Sequence, residues 1–318
     1  MRATVTGADG FVGQWLIRHL IEEGHEITGL IRGEHPDLTT LDAARATLVD
    51  WRPFRLGDVD GARALLDQSR PDVVFHLAAQ SSVPASIQNP VGTFEANVLG
   101  TAALLEACRT SRLDPTVLVV GSSDAYGPGA GSEPLRENAP LRPRNPYAAS
   151  KAAAEYVALQ YAQAGWARVV VTRSFNHTGP GQTTNFAVAS FAKQIADIKR
   201  KRKEPPLRTG SLVPRRDLSD VRDVVHAYAM LGVHGHAGRV YNICSGNAPS
   251  MGEIVERLLR IAGVQAEVTQ DPALVRAVET PVLLGDPTLI QTDVGWRPAI
   301  ALEQTLSDLL DYFMHDPA

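Results

Sequence analysis

Tyr147 and Lys151 stand four residues apart in a helical pattern, which places a phenol and an ammonium on one helix face. A free phenol titrates near about 10 and exchanges protons poorly at neutral pH, and an adjacent cation brings it toward the working range. A Tyr-x-x-x-Lys spacing is common by chance. It gains weight from Ser122, at the end of an apolar run upstream, where a hydroxyl can orient a reacting carbonyl. Ser123 and Asp124 follow at once and add a second hydroxyl and a carboxylate to the same strand end.

A second group could hold a cofactor. Gly7, Gly10 and Gly13 lie between a strand-like run at 2–6 and a helical pattern at 13–23. Glycines there let the backbone turn tightly, approach a pyrophosphate and offer a helix N-terminus to negative charge, with Phe11 and Val12 inside the same turn. The next apolar run, 26–31, ends without the acidic residue that binds ribose hydroxyls in NAD sites, and Arg32 and Gly33 follow. An arginine there suits a 2′-phosphate, so NADP(H) is favoured with NAD(H) as the alternative. Asp58 and Val59 after the third strand fall near the adenine, and Leu77, Ala78 and Ala79 after the fourth pass along the cofactor.

These groups need a scaffold. Apolar runs at 2–6, 26–31, 72–77, 116–120 and 168–173 alternate with helical patterns near 61–69, 93–111 and 147–164. That alternation predicts an α/β fold, a doubly wound parallel sheet of Rossmann type. After about residue 175 the pattern loosens, with helical stretches at 186–199 and 250–262. The expected organisation is a dinucleotide-binding domain over 1–175, joined by a returning segment near 215–245, and a smaller, discontinuous mixed α/β substrate lobe over 176–318. A chain of 318 residues has room for one large core and one smaller lobe.

Composition excludes other classes. With 44% apolar and 21% charged residues the chain is ordinary globular protein, and no apolar run approaches the roughly 18 residues that span a bilayer. The start of the chain reads as neither a signal nor a transit segment, so a cytoplasmic address is expected. A formal charge of −4 argues against nucleic acid as partner. The basic run 199–203 reads as a solvated helix end. Cys108 and Cys244 are too few for a disulfide framework or a zinc site, and His234 with His236 lacks the further ligands of a metal centre, so none is expected.

Taken together, the glycine triplet, His76 to Ala79, Asn97 to Thr101, Ser122, Tyr147 and Lys151 resemble the extended short-chain dehydrogenase/reductases in order and across the N-terminal lobe. The resemblance implies Tyr147 as general acid/base, Lys151 holding the nicotinamide ribose and tuning Tyr147, and Ser122 orienting the carbonyl. The second half looks like the GDP-mannose branch of that family, through Arg173 to Gln182, Asn185, Phe186, Lys193, Gly210 to Asp217, Asp220 to Asp223 and Arg276 to Asp286. It implies a GDP-sugar substrate held by Ser123, Asn176, Asn185, Phe186, Lys193, Gly210, Arg216, Arg276 and Glu279, with Phe175 and His177 near the cofactor. Arg216 and Arg276 are suited to clamp a diphosphate, and Asn176 and Glu279 offer polar groups to hydroxyls.

Two activities of that branch compete. One dehydrates GDP-mannose; the other reduces the resulting 4-keto-6-deoxy sugar nucleotide to GDP-D-rhamnose. The dehydrating members place a Glu where this chain has Asp124, one methylene shorter, and proton transfer demands approach to about 3 Å. They also carry longer chains with a basic loop after the second strand, which the 33–39 segment lacks. Reduction is therefore expected, with dehydration through Asp124 as the alternative. A non-catalytic dinucleotide-binding regulator is a third reading, disfavoured because Ser122, Tyr147 and Lys151 are all present. The family also implies a homodimer through the helices near 93–111 and 147–164, whose Ala102, Ala103 and Ala152 to Ala154 permit close approach.

Overall fold

The computed structural model describes residues 1–111, 113–128, 133–275 and 280–315. Its strands are β1 (Arg2–Thr6), β2 (Glu26–Ile31), β3 (Val49–Pro53), β4 (Val73–His76), β5 (Thr116–Ser122), β6 (Arg168–Ser174), β7 (Asn176–Thr178), β8 (Leu207–Thr209), β9 (Arg215–Arg216), β10 (Leu218–Asp220), β11 (Val240–Ile243), β12 (Val268–Gln270) and β13 (Val282–Leu283). The helices are α1 (Phe11–Glu22), α2 (Ala43–Ala46), α3 (Val59–Ser69), α4 (Val83–Gln88), α5 (Pro90–Phe94), α6 (Gly100–Thr110), α7 (Pro146–Gln163), α8 (Ala187–Lys199), α9 (Val221–His234), α10 (Met251–Ala262), α11 (Thr288–Val294) and α12 (Leu302–His315). No helix among the described residues is long and apolar enough to cross a membrane.

Seven strands form one sheet in the order β11-β6-β5-β4-β1-β2-β3, and every pairing in it is parallel. This is the Rossmann order, in which the chain reverses direction between β1 and β4 and opens a crevice at the strands' carboxyl ends. Period-two alternation builds the layers. Val73, Phe75, Leu118 and Val170 face a core with α1 and α9, whereas Val74, Val117, Val119, Val169 and Val171 face one with α3, α6 and α7. Burying each such side chain contributes roughly 1.5–3 kcal/mol before entropy is counted.

The segment after α9 returns to this sheet, with Val240 to Ile243 beside Val171 to Ser174 on β6. A separate apolar cluster joins α8, α10 and α12 through Phe191, Ile195, Ile254, Leu258, Leu306 and Leu309. Short parallel pairs, β7 with β10, β8 with β12 and β9 with β13, connect this cluster to the rest.

Two elements differ from expectation. The helical stretch near 93–111 is not one α-helix: α5 runs into a π-helical turn at Glu95–Leu99 before α6 begins. The third strand, β3, has a mostly exposed burial pattern, so it is not the buried apolar run that marks the other strands.

Candidate functional site

The crevice between β1 and β4 is shaped by glycines. Gly7 turns at φ +67°, and a Cβ there would press on the Ala78 backbone at 3.0 Å. A Cβ at Gly13 would collide with the Gly7 carbonyl oxygen, so α1 can approach the loop only with glycine at that position. Gly10 is the N-cap of α1 and provides no side-chain cap, which leaves the helix's first N–H groups for an anion. The loop after β4 closes the opposite wall: the Ala78 N–H donates to Thr6 Oγ1 at 3.1 Å.

Beneath these loops lies a buried polar chain. His76 Nδ1 meets Thr6 Oγ1 at 2.9 Å, and its Nε2 meets Thr101 Oγ1 at 3.0 Å. Burial, helped by the Lys151 charge, pushes His76 down to about 3, so the ring is neutral. Buried Asn97, in the π-helical turn, accepts from Gln80 N at 2.7 Å and donates to Gln80 O at 3.0 Å and Ser150 Oγ at 2.9 Å. Ser150 in turn donates to the Tyr147 carbonyl at 2.8 Å. The loop after β4 is thereby tied to the first turn of α7.

That turn carries the reacting groups. Asn145 caps α7, with Oδ1 accepting from Ala148 N at 2.8 Å, and Pro146 starts the helix, so Tyr147 sits rigidly at its beginning. Ser122 ends β5, its Oγ accepts from Asp124 N at 3.2 Å, and its hydroxyl acts on Tyr147 to lower the phenol. Ser123, Asp124 and Tyr126 belong to the 3-10 turn that follows. Lys151 lies one turn along α7, buried, with Nζ donating to Val120 O at 2.8 Å. Burial pushes Lys151 down to about 8.

Burial foremost and then the Asp124 carboxylate raise the Tyr147 phenol well above its ordinary value, and only the Ser122 hydrogen bond works the other way.

The remaining predicted residues are placed as follows. Phe11 and His177 stack at 6.4 Å, joining the glycine loop to β7, and burial lowers His177. Val12, Leu77, Ala78 and Ala79 are half-buried along the crevice, and Arg32 and Gly33 are exposed just beyond β2. The Asp58 side chain caps α3 by accepting from Gly61 N at 2.9 Å, so its main task there is local. The Phe175 ring is buried against Tyr126 at 6.2 Å, which leaves its backbone rather than its ring for a ligand. Asn176, Asn185 and Phe186 are exposed, Lys193 pairs with Asp197 at 2.8 Å, and Gly210 packs against the Leu274 backbone. Arg216 donates to Arg215 O at 2.9 Å and Thr280 O at 2.7 Å. Arg276 and Glu279 lie outside the described residues.

Other residues that shape the site carried no expectation of a role. Gln14 is buried at the start of α1; its Oε1 accepts from Thr39 N, Thr40 N and Leu41 N at 2.8, 2.9 and 3.2 Å. Its Nε2 donates to Asp9 O at 2.7 Å and Asp37 O at 3.2 Å. This amide helps to hold the loop that follows Arg32 to the cofactor crevice, together with Leu38 and Leu41 packed into the core. Thr6, Ser150 and Glu155 likewise matter through partners distant in sequence. No group of three or more His, Cys, Asp or Glu among the described residues could hold a metal ion. A cavity of about 230 Å³ lined by Ser219, Asp220, Asp223 and Ala299 includes none of the reacting groups.

A Rossmann sheet with a serine, a tyrosine and a lysine at its carboxyl edge defines a nicotinamide-dependent oxidoreductase of the short-chain type. The GDP-mannose 4,6-dehydratase family model matches residues 4–309, and the chain belongs to that family. It is similar to GDP-6-deoxy-D-mannose reductase from Pseudomonas aeruginosa, 40% identical over 311 residues that cover 97% of this chain and 96% of the relative. Among solved structures it resembles RMD from Pseudomonas aeruginosa complexed with NADPH, with TM-score 0.86, 35% identity and 99% of each chain covered. UDP-glucose 4-epimerase from Thermus thermophilus in complex with NAD superposes with TM-score 0.87 at 30% identity, over 99% of this chain and 100% of that one.

Proposed function

We propose that the chain reduces the 4-keto group of GDP-4-keto-6-deoxy-D-mannose to GDP-D-rhamnose, with NADPH preferred over NADH. The observation that carries this reading is the 40% identity to a GDP-6-deoxy-D-mannose reductase along nearly the whole length of both chains. The site agrees with it: Ser122 and Asp124 both act on the Tyr147 phenol, and the carboxylate at that strand end is Asp124.

The uncapped start of α1, with Gly7, Gly10 and Gly13, fits the pyrophosphate of a dinucleotide, and exposed Arg32 suits a 2′-phosphate. When bound, the cofactor supplies the hydride for C4. Tyr147, held protonated by burial and Asp124, gives its hydroxyl proton to the C4 oxygen, and Ser122 donates to that oxygen as charge develops on it. Lys151 brings a cation into the buried wall of the site. Arg216, with Arg276 and Glu279, is assigned to the GDP moiety.

The same reading makes the protein a cytoplasmic homodimer. Ile87 on α4, Val91 and Phe94 on α5, Leu99 at the end of the π-helical turn and Tyr156 on α7 are all exposed. A π turn bonds i to i+5, which returns Leu99 to the face that Phe94 occupies. Such apolar residues on neighbouring helices suit a partner copy.

The test follows NADPH absorbance with purified protein and GDP-4-keto-6-deoxy-mannose, alongside GDP-mannose without added reductant. Loss of NADPH in step with the ketone, with GDP-mannose untouched, is the expected result. Conversion of GDP-mannose to the keto sugar without net cofactor consumption would replace this reading with dehydration through Asp124.

A further inference from the structure

Arg173 lies near the carboxyl end of β6, between β5 and edge strand β11, its backbone in register with Gly121 on β5 and Asn242 on β11, and only 5% exposed. Three of its five N–H groups are engaged in hydrogen bonds. Nε donates to Glu155 Oε2 at 2.9 Å and Nη2 to Glu155 Oε1 at 2.6 Å, a two-point pair with a carboxylate that is also buried. Nη1 donates to Glu137 O at 2.8 Å, and the guanidinium carbon lies 4.6 Å from the centre of the Tyr126 ring.

Each partner belongs to a segment that carries a predicted reacting or binding group. Glu155 is one helical turn beyond Lys151 and two beyond Tyr147 on α7. Tyr126 closes the 3-10 turn that begins with Ser123 and Asp124 directly after Ser122, and its hydroxyl donates to Asn242 Oδ1 at 2.7 Å. Glu137 precedes α7, and its carboxylate accepts from Asn242 N at 2.8 Å. Arg173 itself lies just before Phe175, Asn176 and His177, and the Phe175 ring leans on Tyr126.

A buried ion pair is a poor device for stability alone, because desolvation cancels much of its attraction and an apolar pair of similar size often serves as well. It is a good device for fixing orientation, since a planar guanidinium satisfied on three sides tolerates one geometry. We infer that Arg173 and Glu155 are positioning residues for hydride transfer: the pair locks α7, the 3-10 turn after β5 and the β6–β7 connection into one register, setting Tyr147 against Ser122. The inference rests on the reading of Ser122, Tyr147 and Lys151 as the reacting groups.

The central variant is Arg173→Lys, which keeps the buried charge but loses the two-point pairing and the flat contact with Tyr126. Its activity is read on whichever sugar nucleotide the native protein oxidises or reduces, so a failed substrate assignment is seen in the native protein and is separate from this test. The expected result is a folded protein with NADPH Kd within about twofold of native, KM little changed, kcat lowered at least tenfold and a displaced pH profile of kcat. Should Arg173→Lys not fold, Tyr126→Leu, which removes the ring that links the guanidinium to the 3-10 turn, gives the same reading: kcat lowered at least fivefold with NADPH Kd unchanged. Tyr126→Phe keeps the ring and is expected to restore kcat to within threefold of native. A folded Arg173→Lys with native kcat and pH profile overturns the proposal. So does a loss of kcat matched by an equal loss of NADPH affinity, or a Tyr126→Phe no better than Tyr126→Leu.

Discussion

At the scale of single residues the site separates two tasks that a single phenol cannot perform alone. Tyr147 is kept protonated by burial and by Asp124, so it suits giving a proton to a ketone oxygen, while Ser122 supplies the hydrogen bond that stabilises that oxygen. Tyr147→Phe is expected to lower kcat by about 10²–10⁴ and Ser122→Ala by about 10²–10³, both with NADPH affinity retained, as stopped-flow and fluorescence titration can separate. Asp124→Asn removes a charge that raises Tyr147 and leaves its hydroxyl in place; reductase kcat should stay within about fivefold of native, on the ordinary scale of an indirect electrostatic effect. A collapse of reduction in Asp124→Asn would make the carboxylate a direct participant. The pH dependence follows from Lys151, which burial holds near about 8, below the ordinary lysine value. For a cation with a depressed value, the charged form is present below about 8 and lost above it. The kcat/KM for NADPH, which reports the free enzyme, should therefore decline on the alkaline side near pH 8, and a profile flat to about pH 10 would count against a charged Lys151 in the working site.

At the scale of elements, α1 does more than present its N-terminus. Gln14 in its first turn satisfies five main-chain groups, two carbonyls and three N–H groups, in the 9–41 region, and Thr40 of that loop packs against Gly181 beyond β7. Gln14→Leu is close in size but removes the partner of one buried and four part-buried main-chain groups, at roughly 1–3 kcal/mol for each that water cannot reach. The expected outcome is a lower urea midpoint together with a tenfold or greater rise in NADPH Kd, because the loop carrying Arg32 loses its tether; an unchanged Kd in a folded variant would remove Gln14 from the cofactor site. This element also shows what a linear reading can reach. The glycine spacing, the Tyr147–Lys151 pair and the alternation of strands and helices are local patterns written within a few residues, and they appear where those patterns place them. Gln14, Thr6 with His76 and Thr101, and Arg173 with Glu155 act through partners up to seventy positions away in sequence, so their pairings are not written in neighbouring residues, even where a motif includes one of them. The third strand is legible only by its place before Asp58, since β3 is an edge strand whose exposed pattern carries little apolar signal, and the π turn is not legible because one inserted residue breaks the helical period without changing composition.

At the scale of the whole molecule, α7, which holds Tyr147 and Lys151, and the helices beside it also carry several exposed apolar side chains. Val91 is 68% exposed and Leu99 60%, while Asn97, between them in the same helical stretch, is buried against the loop after β4 and against Ser150. One face of this stretch therefore steadies the catalytic turn of α7 and the opposite face is apolar and open. A partner copy covering that face would stiffen the stretch from outside, and a stable interface of ordinary size needs about 800 Å² from each partner. Sedimentation equilibrium at micromolar concentration is expected to give twice the chain mass, and Val91→Asp with Leu99→Asp to give the chain mass, since burying two carboxylates opposite two more across a twofold axis is strongly unfavourable. If the face acts as proposed, that monomer keeps its fold by circular dichroism but loses several-fold in kcat, because the π turn that positions Asn97 is then held from one side only. A native protein that sediments as a monomer would leave the apolar stretch without its partner and confine the support of Tyr147 to contacts within one chain.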